Sequence, residues 1–476
     1  MIIRFLRLAA AAALLAACGA DAACGAEARA ADAQAFVRTS PRDPRYFELS
    51  DGRPYIPIGL NMVGPPSPDK GFAGMEEWLK NLSANRGNFV RVWLSSPYFD
   101  IENKRSGQYE EGQARHIDEL LAAARRHNIR LKLCLEHFRV FDGTSWANKP
   151  LHLVANGGPA ESVADFFDGR RSRDQFKRKL AWFAARCGSD PVVFGWELWN
   201  EVNCVKGGDV FAWTEIMLAE LHRLFPRNLC MQSLGSHDGD WSRRYYPRMM
   251  VLPGNDVAQV HRYLDTGAGY KVCHGPVDVL AADAVAEIQK LSPGRPILLA
   301  ESGAVEPRHS GPFKLYAKDA DGIILHDVLF APFFCGAAGP GHIWHWDHYV
   351  AKNNLWRHFA RFAAVVEGVD PPAESFAAAD LPHEALRVRA LRGRRTFLAW
   401  LRDTENTWQA ELAEGKPPRR IAGQSLRLPD GLATDGAAVR TYDPWQDRWA
   451  PARVEQGRVA LPEFSRSLVV RIDLMK

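Results

Sequence analysis

Residues 192–201 read Val-Val-Phe-Gly-Trp-Glu-Leu-Trp-Asn-Glu, an apolar run that ends in a carboxylate. A second apolar run, residues 297–301, reads Ile-Leu-Leu-Ala-Glu and ends in the same way. An unpaired carboxylate is costly to bury, so two buried strands that both close on a glutamate are rare by chance. The alternative is that each glutamate caps a helix or forms an ion pair. We expect both runs to be parallel strands with Glu201 and Glu301 at their carboxyl ends.

Six further apolar segments alternate with helical patterns around these two runs. The helices are marked by apolar faces of period 3.6, for example Ile117, Leu120, Leu121 and Ala124. This alternation predicts a (β/α)8 TIM barrel, in which functional groups lie at the carboxyl ends of the strands. The predicted strands are 56–61, 88–95, 129–137, 192–201, 230–236, 258–263, 296–302 and 341–346.

The segments on either side of the barrel have their own patterns. Asp51-Gly52 is a hairpin turn dipeptide, so residues 46–368 are expected to hold a small N-terminal hairpin and the barrel. After Pro371-Pro372 the pattern changes to short alternating segments, and residues 375–476 are predicted to form an all-β sandwich. The predicted fold class is α/β with a C-terminal β domain.

The first residues have the features of an export signal. Residues 1–17 combine a short basic start with an apolar stretch too short to span a bilayer, as in a signal peptide. Leu15-Ala16-Ala17-Cys18 resembles the bacterial lipobox, which implies lipidation of Cys18 and a flexible tether over residues 18–45. The alternative is an ordinary secretory signal that is cut further along. Both interpretations predict an exported protein, and the first makes the membrane a partner through a lipid anchor.

Charge and metal-ligand patterns exclude several functions. Cleavage of residues 1–17 would remove Arg4 and Arg7 and lower the formal net charge from +4 to +2. With so little net positive charge, nucleic acid is not an expected partner. None of the eight cysteines forms a Cys-x-x-Cys pair. Cys204 with Cys273 is a candidate disulfide, with buried unpaired thiols as the alternative. No metal and no cofactor are predicted, because the dense cluster at residues 342–348 alternates between the two faces of a strand.

Asn200-Glu201 after the fourth strand, with Glu301 after the seventh, resembles clan A of the glycoside hydrolases and its family 5 of cellulases and mannanases. The resemblance implies that Glu201 is the general acid/base, that Glu301 is the nucleophile, and that Asn200 binds the 2-hydroxyl of the sugar. Retaining hydrolysis of this kind needs two carboxyl groups about 5–5.5 Å apart. Position 202 is Val where many relatives have Pro.

Two other strands carry residues that agree with this resemblance. Arg91 resembles the arginine that keeps the nucleophile charged, although a core ion pair with Glu197 would explain it as well. His261 and Tyr263 resemble a His-x-Tyr motif whose tyrosine orients the nucleophile. A buried, hydrogen-bonded tyrosine is the alternative.

Aromatic side chains and one histidine are the remaining candidates for substrate contact. His137 resembles a substrate-contacting histidine and could equally be structural. Trp346 is favoured over Trp344 as the platform beneath the reacting sugar. Loop aromatics that could line a cleft are Trp146, Trp241, Tyr245 and Tyr246.

These motifs predict a retaining β-glycoside hydrolase that acts on a glucan- or mannan-type polysaccharide by double displacement, as a monomer. One alternative is an exo-β-glycosidase or transglycosylase. Another is a non-catalytic cell-surface protein that binds carbohydrate.

Overall fold

The computed structural model describes residues 34–66, 71–141, 150–188 and 190–474. The predicted signal peptide, Cys18, the first part of the predicted tether and Trp146 all lie outside these ranges. Within the described ranges, no helix is long and apolar enough to cross a membrane.

An antiparallel sheet of three short strands begins the described chain. Its strands are β1 (Val37–Thr39), β2 (Phe47–Leu49) and β3 (Pro54–Tyr55). The predicted hairpin is present between β2 and β3, and Gly52 in its turn has φ +91°, which glycine adopts without steric cost. The tether boundary is wrong, because Val37 pairs with Leu49 and Arg38 binds the buried Glu48 at 2.7 Å. These contacts make residues 37–45 part of the folded protein.

Seven parallel strands alternate with helices through the central region. The strands are β4 (Gly59–Asn61), β5 (Phe89–Trp93), β6 (Arg130–His137), β7 (Val193–Asn200), β8 (Leu229–Met231), β9 (Ala258–His261) and β10 (Ile297–Glu301). The longer helices are Gly71–Ala84, Glu111–Arg126, Arg170–Cys187, Val210–Leu224, Val277–Leu291, Ile323–Phe334 and Arg357–Val365. Shorter helices are Val163–Asp168, Asp240–Arg243, Tyr246–Met249 and Pro371–Glu374. Ile117, Leu120, Leu121 and Ala124 are buried on one face of their helix, as their spacing predicts.

The parallel strands form two ladders, one in the order β4-β5-β6-β7-β8 and one that pairs β9 with β10. Single backbone hydrogen bonds connect the two ladders. On one side, the N–H of Asp256 donates to the carbonyl of Cys230 at 2.9 Å. On the other side, Ile343 bridges Ser302, and its carbonyl accepts from the N–H of Asn61 at 3.0 Å. The carboxyl ends of β4, β5, β7, β9 and β10 are therefore brought to one region.

The predicted eighth strand, residues 341–346, is only a bridge at Ile343, and residues Trp346–Ala351 form a π-helical turn. Pro340 has no N–H to add to a ladder. Gly341 passes so close to the helix Ile323–Phe334 that a Cβ there would lie 2.5 Å from the carbonyl oxygen of Val328. These two residues shorten the pairing because the segment is packed tightly against a helix.

The C-terminal region is antiparallel throughout its three sheets. A six-stranded sheet has the order β11-β12-β13-β21-β16-β17, and two small sheets have the orders β15-β19-β18 and β14-β20. The strands are β11 (Ala377–Leu381), β12 (Leu386–Arg392), β13 (Thr396–Asp403), β14 (Arg420–Ile421), β15 (Ser425–Arg427), β16 (Ala438–Asp443), β17 (Arg448–Pro451), β18 (Val454–Glu455), β19 (Arg458–Ala460), β20 (Phe464–Ser465) and β21 (Ser467–Asp473).

The six-stranded sheet is apolar on both faces. Phe397, Ala399 and Leu401 on β13 belong to a core shared with the small sheets. Leu398 and Trp400, which alternate with them, join the main core of the parallel region. Because successive strand residues point to opposite faces, this double burial explains the unbroken apolar run at 397–401.

Buried ion pairs join the C-terminal sheet to the helices beneath it. Asp278 is fully buried and binds Arg387 at 2.6 Å and Arg389 at 3.1 Å. Arg402 binds Asp327 at 2.8 Å in the same interface. Each of these charged side chains has a partner of opposite charge, which offsets the cost of removing it from water.

We expect Asp278→Asn to lower the free energy of unfolding by about 3–5 kcal/mol, because the buried Arg389 and the partly buried Arg387 both lose their counter-charge. Chemical denaturation followed by tryptophan fluorescence measures this change. Glu220→Gln is the control, since its partner Arg223 is 64% exposed and the loss should stay below about 1 kcal/mol. Equal losses in the two variants would contradict the interface argument.

Candidate active site

Arg91, at the middle of β5, is fully buried and contacts the ends of three other strands. Its guanidinium donates to both oxygens of Glu197 at 2.8 and 2.9 Å and to Glu301 Oε1 at 2.5 Å. It also donates to Asn200 Oδ1 at 2.7 Å and to Asn61 Oδ1 at 3.1 Å. One guanidinium thus makes both contacts, the core ion pair with Glu197 and the ion pair with Glu301.

Lys132 and Glu197 complete the charge balance under the site. Lys132 Nζ lies 2.9 Å from Glu197 Oε2, and both side chains are fully buried. Although burial alone would raise it, the charges of Arg91 and Lys132 hold the pKa of Glu197 well below its usual range. Burial and the neighbouring Arg91 lower the pKa of Lys132 to about 8. Two cations therefore face the two anions Glu197 and Glu301.

Glu301 ends β10 with both carboxylate oxygens engaged. Arg91 donates to Oε1, and the hydroxyl of Tyr263 donates to Oε2 at 2.8 Å. The side chain is 4% exposed. These two donors fix the carboxylate in one orientation and stabilise its charged form.

Glu201 follows β7 in a left-handed backbone conformation, with φ 56° and ψ 49°. This region is uncommon for a residue with a side chain and carries a cost in strain. Its N–H donates to Ser233 Oγ at 3.2 Å, and the thiol of Cys204 lies 3.9 Å from Oε2. The turn directs the carboxyl toward Glu301, and its side chain stays 13% exposed.

His261 lies between the two glutamates. Its Nδ1 is 2.9 Å from Glu201 Oε1 and 3.4 Å from Glu301 Oε2. Burial and the nearby Arg91 hold its pKa well below the usual range, so the ring is neutral. A neutral ring with its proton on Nδ1 donates to Glu201. A carboxylate oxygen of Glu201, Nδ1 of His261 and a carboxylate oxygen of Glu301 all lie within 4.8 Å of one another.

The two carboxyl groups differ in acidity because their neighbours differ. Burial raises the pKa of both. At Glu201 the negative charge of Glu301 adds to the burial and takes the pKa well above its usual value. At Glu301 the charge of Arg91 and the Tyr263 hydrogen bond offset part of the burial. A single proton shared by the pair therefore resides on Glu201.

Proton exchange suits this cluster better than a metal ion does. Within the described ranges, two other groups have ligand-type atoms equally close: Asp238 with Asp265 and His309, and His222 with Cys230 and Asp256. Between the glutamates, His261 already hydrogen-bonds Glu201, and Arg91 adds a positive charge that opposes a cation. His342, from the predicted dense cluster, contacts the carbonyl of Pro57 at 3.1 Å instead.

His137 and the two tryptophans lie in an aromatic stack beside the site. His137 is buried and stacks on Trp93, with ring centroids 4.6 Å apart. Trp344 lies 5.0 Å from Trp93 and is half-buried. Trp346 is buried and meets Trp344 edge-on at 5.5 Å. Of the two tryptophans, Trp344 therefore has more surface available to a ligand, which reverses the ranking expected from the sequence.

The loop aromatics differ from one another in exposure. Tyr246 is fully buried and donates to the carbonyl of Gly235, so it is a core residue and not a cleft wall. Tyr245 packs on Phe211 at 5.7 Å. Trp241 alone among the three described loop aromatics is well exposed. The six cysteines of the described ranges, with Cys204 and Cys273 among them, are free thiols.

Sequence reasoning missed Asn61, Lys132, Ser233 and Gln259. Lys132 interrupts the apolar strand β6 and binds Gln259 as well as Glu197. A lysine between Leu131 and Leu133 in a strand that is buried throughout is a signal that could have found it. Ser233 and Gln259 carry no such signal, because their roles depend on strand neighbours that the sequence does not reveal.

No family model matches the sequence. Among curated proteins, mannan endo-1,4-β-mannosidase 3 of Oryza sativa subsp. japonica is 30% identical over 215 residues, which cover 38% of this chain and 45% of that protein. Mannan endo-1,4-β-mannosidase 7 of Arabidopsis thaliana is 27% identical over 306 residues, covering 56% of this chain and 68% of that protein. The chain thus spans less than half the length of the rice relative.

Solved structures show the same fold. A candidate glycoside hydrolase from Bacteroides vulgatus ATCC 8482 superposes with a TM-score of 0.60 at 17% identity, covering 93% of this chain and 83% of that one. The endo-β-1,4-mannanase of Thermotoga petrophila superposes with a TM-score of 0.50 at 14% identity, covering 86% and 91%. These likenesses concern the architecture of both regions of the chain.

We expect Glu201→Gln and Glu197→Gln to change stability in opposite directions. The folded-state pKa of Glu201 lies above its unfolded value, so the stability it contributes is present at low pH and is lost as pH rises through the folded pKa. Gln cannot ionise, so Glu201→Gln should be more stable than the wild type at about pH 8 and similar to it at about pH 4. The folded pKa of Glu197 is depressed, and its stabilising contribution is present at neutral pH.

Thermal unfolding of the three proteins across this pH range tests the prediction. Glu197→Gln is the matched control and should be less stable than the wild type at about pH 8, because Arg91 and Lys132 lose their partner. A Glu201→Gln protein that melts at a lower temperature than the wild type at high pH would show that ionisation of Glu201 does not destabilise the folded protein.

Five residues named from the sequence share one connected hydrogen-bond cluster with Glu201 where four strands approach one another: Arg91, Asn200, His261, Tyr263 and Glu301. The curated relatives are mannan endo-1,4-β-mannosidases, and the solved structures share the fold. These likenesses confirm the resemblance drawn from the motifs: the chain is similar in sequence to mannan endo-1,4-β-mannosidases and in fold to glycoside hydrolases.

Proposed function

We propose that this protein is a retaining β-glycoside hydrolase that cleaves a mannan-type polysaccharide within the chain. The observation that carries the proposal is the separation of Glu201 and Glu301, whose nearest oxygens lie within 4.8 Å of each other. Carboxyl groups about 5–5.5 Å apart belong to the double-displacement mechanism, whereas inversion needs about 6.5–9.5 Å to admit a water. The mannosidase names of the curated relatives favour mannan over glucan.

In the first step Glu301 attacks the anomeric carbon while Glu201 gives its proton to the glycosidic oxygen. The bond from carbon to that oxygen breaks, and an ester between Glu301 and the sugar forms. The charge of Arg91 and the hydroxyl of Tyr263 keep Glu301 ionised and aimed before the attack. The raised pKa of Glu201 keeps its proton available at neutral pH.

In the second step Glu201, now ionised, takes a proton from a water molecule, whose oxygen attacks the anomeric carbon and releases Glu301. The product keeps the β configuration because the carbon is inverted twice. Neutral His261 donates to Glu201 from 2.9 Å and stabilises its charged form in this step. Asn200 accepts from Arg91 through Oδ1, which orients its amide N–H groups for a sugar hydroxyl.

The finer architecture and the location of the protein are part of this proposal. The two parallel ladders and the bridge at Ile343 support a closed (β/α)8 barrel, and the core shared by the C-terminal sheets supports a β-sandwich. The motif at Cys18 supports an exported lipoprotein held at a membrane. An enzyme in that position meets polymeric sugars outside the cytoplasm.

We expect Glu301→Ala to lower kcat on β-mannan by at least about 10³-fold while the protein stays folded, because the loss falls on the transition state. Release of reducing sugar from mannan, with a β-glucan in parallel, measures the activity. Glu306→Ala, the same change five residues along on a loop, is the control. Near-normal turnover by Glu301→Ala would rule out its role as nucleophile, and an inverted anomer in the early product would rule out double displacement.

Tyr263→Phe should move the acid limb of the kcat/KM profile to higher pH. The hydroxyl of Tyr263 favours the ionised form of Glu301, so the pKa of Glu301 rises when the hydroxyl is removed. Activity then disappears at a higher pH as the medium is acidified, since the nucleophile must be charged. Tyr55→Phe, which loses a hydrogen bond to the carbonyl of Asn88, is the control and should leave the limb in place.

A further inference from the structure

Ser236, Asp265 and His309 contact one another at the ends of three successive strands, beside the glutamate pair. Ser236 follows β8, Asp265 follows β9, and His309 lies on the loop after β10. His309 Nε2 lies 3.3 Å from Ser236 Oγ, and its Nδ1 lies 3.0 Å from Asp265 Oδ2. The hydroxyl, the imidazole and the carboxylate therefore form one hydrogen-bonded line, for which the reaction of the two glutamates has no use.

Asp265 is 1% exposed and is held as an anion by N–H donors. It accepts the ring N–H of His309 and the backbone N–H groups of Gly267, Arg308 and His309, at 2.7 to 3.2 Å. Although burial alone would raise it, these hydrogen bonds hold the pKa of Asp265 below its usual range. A metal ion at this carboxylate would have to displace donors from both oxygens.

The backbone at His309 fixes the direction of its ring. Arg308 and His309 have left-handed φ angles of 60° and 55°, which are uncommon for residues with a side chain. Such a conformation persists only where surrounding contacts hold it, and here the contacts are those with Asp265. In the neutral ring, the proton on Nδ1 is donated to Asp265, so Nε2 keeps its lone pair and accepts from Ser236. The ring is 38% exposed, which leaves it open to a ligand.

The three residues lie close to the glutamate pair. The ring of His309 meets the ring of Tyr263 edge-on, with centroids 5.1 Å apart, and the hydroxyl of Tyr263 donates to Glu301. The N–H of His237, the residue after the serine, donates to the carbonyl of His261 at 2.7 Å. The serine, the histidine and the two glutamates therefore share one region of strand ends.

We propose that Ser236, His309 and Asp265 are a catalytic triad that hydrolyses O-acyl esters of carbohydrates. The triad chemistry goes beyond the proposed glycosidase activity and does not need it. The choice of a carbohydrate ester does rest on the proposed function, because the two sites share one region. The chain order of serine, aspartate and histidine is that of the α/β-hydrolases. Such triads occur on unrelated folds and are recognised by their geometry.

In the first step Ser236 Oγ attacks the acyl carbon and its proton passes to His309 Nε2. The bond from that carbon to the sugar oxygen breaks, the sugar oxygen takes the proton from His309, and the acyl group remains on Ser236. Water then attacks the acyl carbon with His309 again as the base, and the carboxylic acid is released. Asp265 stays ionised and stabilises the imidazolium. Within the described ranges the N–H of Ser236 has no acceptor, so it can donate to the oxyanion.

Covalent labelling tests the triad without any assumption about its substrate. A fluorophosphonate should label the wild type at Ser236, and peptide mass spectrometry locates the label. His309→Gln, which keeps polar bulk but cannot act as the base, should lower the labelling rate by at least about 10²-fold. Ser310→Ala removes an exposed serine beside His309 and is the control, which should be labelled like the wild type. Thermal unfolding shows whether each variant is folded.

Release of acetate from an O-acetylated β-mannan measures the proposed activity itself. The wild type should release acetate, and Ser236→Ala should lower the rate by at least about 10³-fold. 4-Nitrophenyl acetate, an ester without a sugar, is the second substrate. A wild type that hydrolyses this ester through Ser236 but leaves acetylated mannan intact would overturn the carbohydrate ester as substrate.

Two labelling results would overturn the triad. One is a wild type without a label at Ser236, and the other is a folded His309→Gln variant that is labelled as fast as the wild type. Cleavage of the mannan backbone is measured separately as reducing sugar. Failure of the triad is therefore distinguishable from failure of the proposed function.

Discussion

The buried guanidinium of Arg91 is the constraint on which the site depends. A cation without solvent must have partners, and Arg91 has them on β4, β7 and β10. The planar fork of an arginine fixes the directions as well as the distances of its acceptors, which an ammonium would not do. The positions of Glu301 and Asn200 are therefore coupled to the core ion pair with Glu197.

Two residues of the same chemical type acquire different tasks from their surroundings. Glu301 receives two donors that favour its charged form, whereas Glu201 has a neutral ring and a thiol as its nearest polar groups. The left-handed turn at Glu201 brings it toward Glu301, so each carboxyl affects the acidity of the other. In the proposed mechanism, the acid and the nucleophile arise from this asymmetry and not from the side chains themselves.

Residues at strand ends could be predicted from the sequence, and residues whose role depends on neighbours across the fold could not. Glu201 and Glu301 each close an apolar run, and Tyr263 belongs to a His-x-Tyr motif, so their positions are local information. The link from His261 to Glu201 depends on how β7 and β9 approach each other. The short strand pairing around Ile343 depends on the packing of Gly341 against a helix. The apolar pattern of a strand does not reveal such packing.

The sheet that carries Trp400 is buried on both faces, and this burial limits how the C-terminal region can move relative to the parallel region. A domain that moves freely on a linker has a solvated surface toward its neighbour. Here alternate residues of β13 belong to two hydrophobic cores instead. Separating the regions would expose Leu398 and Trp400 together with Asp278 and Arg387. The C-terminal region is therefore held in one fixed orientation against the parallel region, and the two are expected to unfold together.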